Sequence, residues 1–240
     1  MQQNILQFNR PLLRIGSIAF IVGVVIVVVS TMLHPSREDP ANHPLVFMEY
    51  ANSNSWIAVH IGQFVGGIMV FGGGFGVLHS FLMRTESNTT YTLSWIGFAV
   101  AIMTASAIAV LQAVDGIALK IAVDSWAAAP GEEKSIKFRV AEGIRWVEYG
   151  TNSIFRILQG SVVAIFGIAI VKSMLLSRWI GGTGVIVGTM SIIAGVEVAY
   201  VGFGYTNFVG LRGISTIIYF IWILILGAFM LRKSMSKKVL

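Results

Sequence analysis

Cysteine is absent from these 240 residues, which excludes disulfides, thiolate metal sites, cysteine-ligated iron–sulfur clusters and covalent c-type haem. Charge is scarce as well. Asp, Glu, Lys and Arg make up 12% of the chain, whereas a soluble domain carries about 25%. Only five prolines occur, and none falls within the second to sixth apolar stretches, so no helix is obviously interrupted. The pattern contains no HExxH, no nucleophile elbow and no catalytic triad. Gly72-Gly73-Gly74-Phe75-Gly76 lacks the following Lys-Ser/Thr of a phosphate-cradling loop and lies in mid-span.

Apolar length is what the chain has in abundance. Hydrophobic residues make up 55%, and the mean hydropathy is +0.79. Six stretches are long enough to cross a bilayer: about 12–33, 56–82, 93–117, 153–175, 179–201 and 214–231. At 1.5 Å per residue, about 18 or more residues cross a hydrocarbon core of roughly 30 Å. The expected fold is all-α, a polytopic membrane protein with six transmembrane helices in one bundle. The first stretch is too long for the apolar core of a secretory signal, and Ser30-Thr31-Met32 offers no small-x-small cleavage site. It is read as a retained helix.

Lysine and arginine set the orientation. One side of the bundle receives Arg10, Arg14, Arg84, Lys172, Arg178, Arg232, Lys233, Lys237 and Lys238 against the single acid Glu86. The opposite side receives Glu38, Asp39, Glu49, Asp124, Glu132, Glu133, Glu142 and Glu148. The positive-inside rule puts both termini in the cytoplasm of a multi-pass plasma-membrane protein. The net charge of +6 and pI near 9.8 then suit lipid headgroups rather than nucleic acid, because no aromatic-interleaved basic patch is present.

Two segments on the outer side are more than linkers. Residues 34–55 hold three prolines and the amphipathic Val46-Phe47-Met48-Glu49-Tyr50. Between spans three and four, Ile136, Val140, Ile144 and Val147 recur at helical spacing, with Trp146 and Tyr149 suited to a headgroup interface. This pattern predicts an outer interfacial helix over about 133–149. A simple extension of span four into water is the alternative.

Polar residues inside the spans gather toward that outer side. His60 and Gln63, Gln112 and Asp115, Arg156 and Gln159, and Glu197 and Tyr200 are four pairs at i,i+3 spacing, each on one helical face. Lipid would penalise those faces, so they are expected to line an outward-facing polar cavity as the ligand-binding residues. Arg156 is available to Asp115 or Glu197. A hydrogen-bonded network that only holds helices together would look the same, and such contacts contribute about 0.6 kcal/mol each.

Glycine marks close packing instead. Gly62/Gly66, Gly72/Gly76 and Gly184/Gly188 are GxxxG pairs that let helix backbones approach, within the chain or in a homo-oligomer or other membrane-protein partner. Arg14-Ile15-Gly16, Trp95-Ile96-Gly97 and Trp179-Ile180-Gly181 open spans one, three and five as an interfacial anchor followed by a small residue, rather than as a duplicated hairpin. No cofactor is expected. The alternative is haem or a metal ion held by His34 and His60, with His43, Asp39 or Asp115 as further candidate metal ligands. His79 has no inner partner histidine for a second haem.

Ser177-Arg178-Trp179-Ile180-Gly181-Gly182, opening the fifth of six short spans, resembles uncharacterised bacterial six-helix integral membrane families of unknown function. The resemblance implies the fold and no activity. The expected function is therefore a membrane protein whose outer cavity binds a small amphiphile, lipid or quinone, or an accessory membrane subunit. The alternatives are a small transporter or ion-coupled carrier using Asp115, Arg156 and Glu197, and a histidine-dependent redox or metal-linked membrane enzyme. Against transport, the cytoplasmic half offers almost no polar path.

Overall fold

The computed structural model describes residues 10–204 and 210–236; Lys237 and Lys238, counted above on the inner side, lie outside them. Among the described residues every regular element is helical. Six helices are long and apolar enough to cross a membrane: α1 (Arg10–Met32), α3 (Trp56–Leu82), α4 (Asn88–Ala128), α5 (Glu133–Ser173), α6 (Arg178–Val201) and α7 (Leu211–Met235). A short helix, α2 (His43–Ala51), joins α1 to α3. The expected six-span, all-α membrane fold is therefore present.

Local sequence explains the boundaries. Asn42 caps α2 by accepting from the Leu45 amide at 3.4 Å, with proline in its first turn. Ser87 caps α4 in the same way, through Thr90 N–H. Met174, at φ 56°, breaks α5 in a left-handed turn, and Gly202, at φ 67°, ends α6.

Two spans differ from the sequence reading in an informative way. Helices α4 and α5 each run 41 residues, about 60 Å and twice a hydrocarbon thickness. Residues 133–149 are thus not a separate interfacial helix. They are nearly the first five turns of α5, continuous with span four, because no residue between 133 and 173 interrupts the i→i−4 ladder. Together with the end of α4 they make a hairpin rising beyond the apolar region, and α2 packs against it. Phe47, Tyr50, Trp56, Leu119, Val123, Trp126 and Ala141 form a second small core there, separate from the core of the bundle. This capped end lies opposite the end where α1 begins and α7 finishes.

The absence of proline also does not mean regular helices. α3 widens into a π-helical stretch over Met69–Gly74, and α4 does so over Ala113–Leu119. Such turns are frequent at functional positions, and the second one carries Asp115.

The spans form a closed ring, α1–α7–α6–α5–α4–α3 and back to α1. Lipid tails are as apolar as leucine, so close packing, rather than hydrophobic transfer, holds such a ring together. Its interior is filled by aromatic side chains. Phe75 meets Phe20 edge-on at 5.1 Å and stacks on Phe166 at 5.1 Å, while Phe71 packs on Phe155. Glycines supply the helix crossings. Gly23 faces Gly66 between α1 and α3, and Gly160/Gly188 and Gly167/Gly181 face each other between α5 and α6. Gly16, Gly97 and Gly181, which share the local pattern noted above, each sit against a neighbouring helix.

A methyl group at Gly188 would meet Gly160 O at 2.5 Å and Ala164 N at 2.6 Å, both backbone atoms that cannot move aside, whereas one at Gly182 meets nothing within 4 Å. Gly188→Ala should therefore lower the melting temperature in mild detergent, at a cost of about 1–3 kcal/mol. Gly182→Ala should leave it equal or raise it, since alanine is favoured over glycine in a helix by about 1 kcal/mol.

Candidate functional site

The residues with unusual environments lie at the capped end, between α3, α4 and the segment after α1. His60 sits one turn inside α3 and is 1% exposed. Its Nδ1 lies 2.7 Å from the carbonyl of Trp56, one turn earlier. A carbonyl can only accept, so Nδ1 carries the proton and Nε2 is the free ring nitrogen. That Nε2 lies 3.1 Å from Asp115 Oδ2. The contact is close but not aligned as a hydrogen bond, and both His60 Nε2 and Asp115 Oδ1 are buried without a hydrogen-bond partner.

The backbone makes this pairing feasible. Asp115 stands in the π stretch of α4, and Gly116 beside it faces the His60 side chain, where any Cβ would collide with His60 Cβ. Trp56 Nε1 donates to the Asp115 backbone carbonyl at 3.0 Å and so ties the start of α3 to the same stretch.

His34 completes the group from a third direction. It follows the last turn of α1, with Nδ1 2.6 Å from Pro35 O, and its ring lies edge-on to His60 at 5.2 Å and against Trp56 at 4.7 Å. Burial holds the His34 imidazole below its ordinary pKa, an effect that the Asp115 carboxylate opposes. His34, His60 and Asp115 each offer one ligand atom, and the three atoms lie within 4.8 Å of one another.

The cap fixes this arrangement. Glu49 accepts from the Arg37 and Glu38 amides at 2.9 and 3.3 Å, which folds the segment after His34 onto α2. His43 bridges Glu142 at 3.0 Å and the Tyr149 hydroxyl at 3.1 Å, anchoring the start of α2 to α5. Lys120 reaches the Ala51 carbonyl at 3.2 Å and anchors its end to α4. Tyr50, on the covered face of α2, lies tilted against Trp56 at 4.0 Å, and burial raises its phenol pKa so that it stays protonated. Beyond Tyr50 lies a buried ion pair, Arg145 Nη1 to Glu148 Oε2 at 2.6 Å, whose guanidinium rests against Tyr50, Tyr149 and Phe203.

Of the eight residues expected to line one cavity, His60 and Asp115 meet. Gln63 reaches α1, donating to Thr31 Oγ1 at 3.3 Å. The Oε1 atom of Gln112 is buried without a partner. Arg156 does not pair with Asp115 or Glu197; it donates to Asn152 Oδ1 at 2.9 Å and Thr216 Oγ1 at 3.1 Å, tying α5 to α7. Gln159 is buried beside Tyr219 on that same side. Glu197 keeps a buried, unpartnered Oε2, and Tyr200, 85% exposed, points away from the bundle. The residues that sequence reasoning left out of the site are Arg145, Glu148, Tyr50 and Trp56. Arg145 and Glu148 carry the same i,i+3 signal as the four pairs, but they fell in the segment read as a surface helix.

Removing Arg145 would strand the Glu148 carboxylate in the covered core, a loss that for buried pairs costs about 3–5 kcal/mol. Arg145→Met should therefore destabilise the detergent-solubilised protein strongly, and Arg145→Met with Glu148→Met should recover most of the loss. A melting-temperature double-mutant cycle reads this directly. Comparison of the chain with family models, curated proteins and solved structures returned no match.

Proposed function

We propose that this integral membrane protein works at the outer face of the plasma membrane as a cation-binding protein, with its binding centre at the capped end around Asp115. The observation that carries this reading is the buried Asp115–His60 contact. A carboxylate oxygen and an imidazole nitrogen are both withdrawn from water, and neither has an aligned hydrogen bond. An unsatisfied buried polar group costs about 1–3 kcal/mol, more if charged, and a bound cation would offset that cost.

Binding is favoured over transport by what lies beneath the centre. Phe20, Phe71, Phe75 and Phe166 fill the bundle. The hydroxyls of Ser17, Thr104, Ser106, Ser161, Thr189 and Ser191 each bond to the carbonyl one turn back in their own helix instead of forming a path. The amphiphile or quinone reading has less support. Tyr200 points outward, and the open groove of about 530 Å³ at this end is lined by Asp39, Ala41, Asn42, His43, Pro44, Phe138 and Glu142, none of them among the eight expected binding residues.

The orientation follows the basic excess at the end opposite the cap. Cysteine introduced at Ser36 or Ser135 should react with an impermeant reagent in intact cells, and cysteine at Ser236 only after permeabilisation. The reverse pattern would put the binding centre inside the cell. For the function itself, the melting temperature of purified protein should be followed against a panel of mono- and divalent cations. At least one should raise it saturably by several degrees in the unaltered protein and not in Asp115→Asn. No shift beyond that of Asp115→Asn with any cation would remove the proposal.

A further inference from the structure

We infer that the cation is a divalent transition-metal ion held by His34, His60 and Asp115, an inference that rests on the cation-binding reading above. The donor set comes first. Two imidazoles and one carboxylate suit zinc, iron, cobalt or manganese, whereas calcium and magnesium prefer all-oxygen shells.

The orientation of the rings is the second argument. Both histidines direct Nδ1 at a backbone carbonyl, Pro35 O at 2.6 Å and Trp56 O at 2.7 Å. This outer-shell arrangement fixes the tautomer of a metal-binding histidine, leaving Nε2 with its lone pair as the ligand atom. Asp115 is likewise fixed through its own backbone, which accepts from Trp56 Nε1. At His60 that free nitrogen also faces an acid, 3.1 Å from Asp115 Oδ2.

Third is the spacing. Metal–ligand bonds of about 2.0–2.2 Å at tetrahedral angles separate the ligand atoms by roughly 3.5 Å. His60 Nε2 and Asp115 Oδ2 already stand 3.1 Å apart, and all three ligand atoms fall within 4.8 Å. Only the His34 side chain has to close in, and it stands on the non-helical segment after α1, while His60 and Asp115 are set in helices. The rings of His34 and His60 touch edge-on at 5.2 Å. That leaves no gap for a porphyrin, so the geometry favours a single ion over haem. Three protein ligands leave a fourth position for water or another small ligand.

A proton shared between His60 and Asp115 is the rival explanation, and it makes no use of His34. Chelator-treated protein in mild detergent, titrated with cobalt(II), separates the two. One cobalt per chain should bind, with the visible d–d absorption of a four- or five-coordinate ion, and zinc should displace it. His34→Gln and Asp115→Asn should each weaken binding by at least the roughly 10–100-fold that loss of an outer-shell partner alone costs. His79→Gln, at the opposite end of α3, should bind as the unaltered protein does. His34 is used in place of the fully buried His60 so that the variant folds, and its melting temperature without metal checks that it has. Absence of the cobalt spectrum, or an unchanged spectrum in His34→Gln, overturns the metal site. If cation-dependent stabilisation through Asp115 is still seen, the broader reading survives that failure. If it is absent too, both fall.

Discussion

The carboxylate of Asp115 is the group around which the capped end is organised. It is set into a helix wall at a depth where water cannot solvate it fully, and an ionised carboxylate there is tolerated only with compensating charge or donors. Several features near it serve that need. Asp115 stands in a π stretch, Gly116 admits the His60 ring, and Trp56 holds the two helices in register. Even so, one oxygen remains unpartnered, and that residual deficit is what the proposed cation would relieve.

The two ends of the bundle are built on different principles. Toward the terminal end the interior is largely apolar and aromatic, and its helices are brought together by glycine crossings such as Gly167/Gly181. The capped end adds polar ties to its own small core: His43 to Glu142 and Tyr149 and Lys120 to Ala51 cross between elements, and Arg145 pairs with Glu148 beneath α2. The cap is therefore what keeps the polar centre from opening freely to water. His34 stands at the boundary of the two regimes, on the segment that Glu49 folds over the site.

Part of the candidate site was legible because lipid makes polar residues conspicuous. His60 and Asp115, which meet in the fold, were singled out by that criterion alone. Tyr200 and Arg156 met the same criterion and lie elsewhere, for a geometric reason: residues three apart on a helix differ by about 60° in direction. Glu197 can thus face inward while Tyr200 turns outward. Arg145 and Glu148 were missed because a charged segment beyond a span reads as solvated surface. In the folded chain α2 and Phe203 cover it.

The sequence by itself determined the six spans, the helical class and the end of the bundle at which polar chemistry collects. Each of these follows from the cost of placing polar groups in hydrocarbon, which is a property of local composition. Tertiary structure alone decided that α4 and α5 run on as one hairpin, that two spans carry π turns, and which acid meets which base. Those outcomes depend on how helices pack sideways. Contacts such as Gly116 against His60, or Tyr50 between Trp56 and Arg145, join residues far apart in the chain that no local pattern relates.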